Sequence, residues 1–96
     1  MNLTQPTALA LQAVARGYRY GFDIMTATGL PSGTVYPLLR RLEREGCVVG
    51  RWESEDAAFS AGRPRRRTYR ITPRGRELLA SALQRFAYLR DALANP

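Results

Sequence analysis

The chain has 96 residues, with 15 basic against 8 acidic side chains, a net charge of +7 and a sequence pI near 10.7. That length makes one small domain with a modest core, which a partner would help to complete, and the charge points to a polyanion. With no histidine and a single cysteine, neither a Ser-His dyad, nor a zinc site within one chain, nor an internal disulfide can be assembled.

No enzyme and no cofactor are therefore expected. All 15 basic residues are arginine, which favours bidentate contacts with phosphate and guanine, although coding bias would give the same inventory. Cys47 follows a helix stop and precedes two valines, the setting of a buried, inert thiol in a reducing cytoplasm. No apolar run approaches membrane-spanning length and no secretion signal opens the chain. A cytoplasmic protein without membrane contact is expected.

Thr4 to Ala15 reads as the first helix, with Thr4 as N-cap and Pro6 in the first turn. Its alanine-rich run allows close packing on another helix, in the same chain or a second one. Arg16 to Gly21 breaks it. Tyr18 and Tyr20 alternate there with Arg16 and Arg19, and a surface turn anchored by the tyrosines is expected. Gly21 to Thr28 fits a short second helix, and Gly29-Leu30-Pro31 ends it.

Ser32 to Gly46 reads as one helix, with Ser32 as N-cap and Gly46 as the left-handed residue past its end. Val35, Leu38, Leu39 and Leu42 follow the i, i+3, i+4, i+7 rule and form one apolar stripe. The opposite side carries Gly33, Pro37, Arg40 and Arg44, flanked by Thr34, Tyr36 and Arg41. Pro37 falls late for a proline, so a tight or bent first turn is expected. An ordinary amphipathic surface helix would show the same pattern. Helix, short turn, helix, with a small polar start to the second helix, is also the arrangement that reads base edges in the major groove.

Cys47 to Glu53 and Arg65 to Ile71 are rich in strand formers, and the stretch of about 11 residues between Ser54 and Pro64 reads as a loop. Two strands after a helix-turn-helix describe a winged helix. Gly62-Arg63-Pro64-Arg65-Arg66-Arg67 is the densest charge run. A solvated loop tip would look the same, but the adjoining basic helix favours a wing that grips phosphates or enters a minor groove. Thr72-Pro73 opens a last helix that can run to about Ala94, ~33 Å at 1.5 Å per residue. Leu79, Ala82, Phe86, Leu89 and Leu93 are spaced 3-4-3-4 along it, a heptad-type seam. Packing on the first helix with a frayed end would use part of it; a homodimer interface would use all of it.

Three segments carry a resemblance to a known family. Gly33 to Gly46, reading Gly-Thr-Val-Tyr-Pro-Leu-Leu-Arg-Arg-Leu-Glu-Arg-Glu-Gly, resembles the recognition-helix signature of the PadR transcriptional regulators. Gly62 to Gly75 resembles their wing-to-last-helix motif, and Gly21-Phe22-Asp23-Ile24 resembles the start of their second helix, with Phe where Tyr is usual. The resemblance covers most of the chain. It implies a mainly α fold with a small β-hairpin, a winged helix-turn-helix over residues 1–71 and a long C-terminal dimerisation helix over 72–96. It further implies a homodimer on a palindromic DNA operator, usually a repressor and often released by a small molecule. Some short members hold planar drugs between tryptophans at the dimer centre; here the one tryptophan, Trp52, falls in the first wing strand.

The expected base-reading residues are Ser32, Gly33, Thr34 and Tyr36 on the helix and Arg63 and Arg65 in the wing. Arg40, Arg41, Arg44, Arg66 and Arg67 are expected on phosphates. A small hydrophobic effector would lie between the first helix and the partner's last helix, near Phe86 and Tyr88. A module whose basic face binds an acidic protein rather than DNA is the alternative, and a gel shift at two salt concentrations discriminates the two.

Overall fold

Helix α3 (Ser32–Arg44) lies at the centre of the fold. The computed structural model describes residues 3–91. The stripe predicted on α3 is buried, and Val35, Leu39 and Leu42 are sealed completely. It packs against α1 (Gln5–Ala15), α2 (Gly21–Thr28) and β1 (Val48–Trp52). Leu11, Ile24 and Val48 supply the facing side chains. Each fully buried aliphatic side chain contributes about 1.5–3 kcal/mol, so this contact fixes which side of α3 can face solvent.

A short helix α4 (Glu55–Ser60) follows β1, then β2 (Arg67–Ile71), α5 (Pro73–Arg85) and a 3-10 turn over Ala87–Asp91. The two strands pair antiparallel, with Val48 opposite Ile71, Gly50 opposite Tyr69 and Trp52 opposite Arg67. The architecture is mainly helical with one hairpin: a winged helix-turn-helix. The segment before α2 does more than turn. Tyr20 bridges to Thr68, and the Tyr69 N–H donates to the Arg19 carbonyl at 2.9 Å, so this segment covers the free edge of β2.

Most helix ends follow the sequence signals. The Thr4 hydroxyl accepts from the Thr7 N–H, and the Thr72 hydroxyl from the Gly75 N–H at 3.0 Å. At the end of α3, Gly46 takes φ 75°. The Gly46 N–H then reaches the Glu43 carbonyl and the Cys47 N–H reaches the Leu42 carbonyl at 2.8 Å. These are the two bonds of a Schellman ending, and buried Cys47 joins Leu42 in the core beneath it.

Three expectations need correction. Ser32 is the first residue of α3, not its cap; Pro31 holds the cap position in extended geometry, without a side-chain bond. The Pro31 carbonyl instead accepts from both Thr34 and Val35 N–H groups, at 2.9 and 3.0 Å, which gives the tight first turn. The wing loop is not irregular throughout. Ser54 caps α4, its hydroxyl accepting from the Ala57 N–H at 3.1 Å, and Glu55 and Asp56 suit the positive end of that helix.

The third correction concerns the last helix. It stops at Arg85, where Phe86 leaves helical geometry at φ −122°, ψ 62°. The following 3-10 turn brings Leu89 back onto Ala8 and Ala82, so the seam is partly consumed within the chain. Gln12 and Arg16 of the α1 end both donate to the Arg90 carbonyl and hold this return. The stretch expected to continue the helix to Ala94, with Leu93, lies outside the described residues.

Gly46→Ala should lower unfolding free energy by about 1–2 kcal/mol, because an L side chain is strained at that φ. Urea denaturation followed by circular dichroism would show it as an earlier midpoint with an unchanged slope.

Candidate nucleic-acid interface

Burial of the α3 stripe sends Ser32, Gly33, Tyr36, Pro37, Arg40, Arg41 and Arg44 to the exposed side, with Thr34 half-buried beside them. Arg40, Arg41 and Arg44 make no ion pair or side-chain hydrogen bond with the described residues. Their guanidiniums are therefore available to an outside anion. The Tyr36 ring lies against Gly21, filling the space where a Cβ at position 21 would stand. That contact sets the angle at which the phenol leaves the helix.

The wing arginines are arranged differently. Glu53, at the end of β1, collects them. Arg63 donates to both its carboxylate oxygens, the second at 2.8 Å. The Arg66 N–H reaches the same carboxylate at 3.2 Å, and the Arg65 Nε donates to the Glu53 carbonyl at 2.8 Å. Arg67 crosses to α3 and donates to both carboxylate oxygens of Glu43, at 2.7 and 3.0 Å. This pair joins the helix to the wing. Gly50 makes it fit, since a Cβ there would strike the Glu43 carboxylate and the Arg67 guanidinium.

Aromatic rings complete the arrangement. The Arg66 guanidinium lies 3.8 Å above the Tyr20 ring, and Arg65 and Arg67 stand 5.6 and 5.4 Å from the Trp52 centroid. A cleft of about 690 Å³ runs between the start of α2, the outer face of α3 and the wing. Tyr36 and Arg40 of α3 line this cleft together with Arg65, Arg66 and Arg67 of the wing, and Arg40, Arg41 and Arg44 border a second hollow beside it. Arg63 and Arg67 are each held by a carboxylate, Glu53 and Glu43 respectively, and neither is presented as a free cation. Of the predicted dimer residues, Ala82 and Leu89 are buried inside the chain, while Leu79 and Phe86 are half-buried.

Over residues 10–81 the chain matches the model of the transcriptional regulator PadR-like family. The chain belongs to this family. Its members are transcriptional regulators, not enzymes. Solved structures agree on the fold. A PadR-like regulator from Bacillus cereus is 24% identical with a TM-score of 0.65, covering 88% of this chain and 82% of its own. A PadR family regulator from Clostridium difficile is 20% identical with a TM-score of 0.72, covering 91% and 92%. A Staphylococcus aureus MepR mutant bound to an oligodeoxyribonucleotide is 21% identical with a TM-score of 0.67, covering 91% and 60%. No curated protein matches the sequence.

The PadR-like match spans most of α5 as well as α2, α3 and the wing, the last three being the elements that build this surface. Sequence reasoning expected the acidic stretch from Glu53 to pair with arginines in the absence of DNA, and missed Glu43 as the partner of Arg67 and the roles of Tyr20, Phe22 and Trp52 in lining the cleft. Their placement in the cleft depends on the strand register. It sets Gly50 opposite Tyr69 and Trp52 opposite Arg67, on one face.

The paired arginine holds the Glu53 carboxyl well below its ordinary range, at about 2, with the Arg66 backbone N–H adding to the effect against burial. A lowered carboxyl pKa gives stability that is complete above the unfolded value of 4.5 and is lost as pH falls toward about 2. Glu53→Gln should therefore destabilise the wing at neutral pH and flatten the acid limb of stability between those values. Thermal melts across that pH range, compared with the parent protein, measure it.

Proposed function

We propose that this PadR-like chain is a sequence-specific DNA-binding regulator that acts as a homodimer on a palindromic operator. The observation that carries the reading is one continuous surface, on which a small polar helix start adjoins guanidiniums without internal partners. Ser32, Gly33, Thr34 and Tyr36 lie where an inserted helix meets base edges, and Arg40, Arg41 and Arg44 lie where it meets phosphates. Arg65 serves as the wing's base-reading residue, and Arg66 and Arg67 exchange carboxylate for phosphate. Arg63 acts through Glu53, as a positioning residue. The oligonucleotide bound to the structurally similar MepR protein supports this use of the fold.

The regulator is read as a bacterial, cytoplasmic repressor that a small hydrophobic molecule releases from DNA. Residues 1–71 form the DNA-binding unit and 72–96 the dimerisation element, within one compact body. No helix among the described residues is long and apolar enough to cross a membrane. The dimer contact is narrower than a full heptad seam, because Ala82 and Leu89 already face α1. Leu79, Leu83 and Phe86, half-buried, and exposed Tyr88 remain for a second chain. A two-fold dimer would set its recognition helices about one DNA turn apart.

Counterion release gives log K a salt slope of about −0.9 per neutralised phosphate on duplex DNA. Replacing Arg41 and Arg44 by Ala should flatten the slope by roughly one to two units per subunit and weaken operator and random DNA alike. Thr34→Ala with Tyr36→Phe should leave the slope nearly intact and narrow the gap between the two DNAs, by about 1–3 kcal/mol per lost base contact. Affinities for both DNAs over a salt series decide this, and exchanged behaviour of the two variants would reverse the roles. Light scattering should give twice the 10.8 kDa mass of one chain at micromolar concentration.

A further inference from the structure

The cleft beside α3 has a lining that a fully paired duplex cannot use. Five aromatic side chains border it, drawn from the start of α2, from α3 and from the wing. Two are left largely uncovered: Phe22 is 71% exposed and Trp52 is 58% exposed. In a duplex the faces of the bases are covered by their neighbours, and a protein meets only base edges and phosphates. Phosphates call for arginine and edges for polar groups, and neither calls for an open ring. A flat apolar face in water is best covered by the face of another ring.

Rings and charges are interleaved in this lining. The Arg66 guanidinium lies over the Tyr20 ring, and Arg65 and Arg67 stand beside Trp52. Glu43 is the one carboxylate of the lining, and Arg67 already neutralises it. Arg40 lines the cleft with neither a carboxylate nor a ring partner among the described residues. A cationic groove that tracks a backbone, with aromatic rings on which bases stack, is what binding of a single strand requires. A strand brings one base face and one phosphate with every nucleotide. It therefore matches a lining in which ring and cation recur, whereas a lone small anion would leave most of that lining unused.

We propose that this cleft binds unpaired nucleotides of a single strand, with bases stacked on Trp52 and Phe22 and a phosphate on Arg40. This is a further activity beside duplex recognition. Tyr36, Arg40, Arg66 and Arg67 also belong to the proposed duplex surface, so strand and duplex compete by direct overlap. The competition rests on the duplex reading above; the strand site does not.

Trp52 is the chain's one tryptophan, so its fluorescence reports stacking in the cleft alone. A short oligothymidylate should quench it to saturation. The same strand with its bases removed keeps every phosphate, and it should bind about tenfold more weakly with little quenching. Thymidine monophosphate should bind more weakly than the strand. Phe22→Leu should weaken the oligothymidylate about tenfold while leaving the abasic strand and duplex DNA unchanged, and Phe22→Tyr should restore the parent affinity. Arg40→Gln should weaken both strands alike and flatten their salt slope by about 0.7 per lost phosphate contact. Both side chains are exposed, and circular dichroism should show the fold retained. An oligouridylate beside the oligothymidylate tells whether RNA shares the site, and base-dependent binding of either strand upholds it. Equal binding of base-bearing and abasic strands, an unquenched indole, or thymidine monophosphate binding as tightly as the strand would overturn the proposal. So would Phe22→Leu weakening the duplex as much as the strand, since the ring would then serve the duplex surface. Duplex binding without base-dependent strand binding would sink the strand site and leave the duplex reading standing. Base-dependent strand binding by a protein with no affinity for any duplex would do the reverse.

Discussion

Burial of one stripe on α3 governs the molecule. Val35, Leu38, Leu39 and Leu42 can be satisfied only by turning that side of the helix inward. The turn simultaneously commits Arg40, Arg41 and Arg44 to the outside. In the DNA-binding reading proposed above, function and stability share one rotation of one helix. The Schellman ending at Gly46 sends the chain straight into β1 beneath α3, which places the wing beside the helix instead of at a distance.

The wing shows how a strongly basic surface is kept ordered before any anion arrives. Arginines held this close repel one another, and Glu53 and Glu43 offset that repulsion while fixing geometry. The Arg63–Glu53 and Arg67–Glu43 pairs are half-buried, so they hold position and contribute modestly to stability. The Glu43 pair with Arg67 ties the helix to the hairpin, and Tyr20 and Trp52 give the guanidiniums flat surfaces to rest on. A phosphate entering this surface meets arginines already aimed. The two arrangements differ in what an anion must displace: Arg41 and Arg44 lose only water, whereas Arg66 and Arg67 must leave a carboxylate.

Features encoded over short spans were legible in the sequence. The α3 stripe, the Gly46 ending, the Thr72-Pro73 start and both strands depend on residues within a turn or two of each other. The family resemblance carried by Gly33 to Gly46 and Gly62 to Gly75 agrees with the match over residues 10–81. Features decided by tertiary contact were not legible. Ser32 looked like a cap, but Pro31 fixes the backbone first and takes the position. The heptad spacing of Leu79 to Leu93 predicted one long helix. The return of Leu89 onto Ala8, held by Gln12 and Arg16 at the Arg90 carbonyl, breaks it at Phe86. Ser54-Glu55-Asp56 was a helix start read as an acidic loop, because α4 has only 6 residues and no periodicity to reveal it. The cleft needed the strand register and the placement of Phe22 at the start of α2, and neither follows from spacing along the chain.

The central claim is that the outer face of α3, with the wing beside it, reads DNA sequence. Selection from random duplex DNA by the parent protein tests it most directly. The account predicts an enriched motif with two-fold symmetry and half-sites about one helical turn apart, and a changed motif when Thr34→Ala is used in the selection. Recovery of unselected sequence by the parent protein, or the same motif from both proteins, would contradict it.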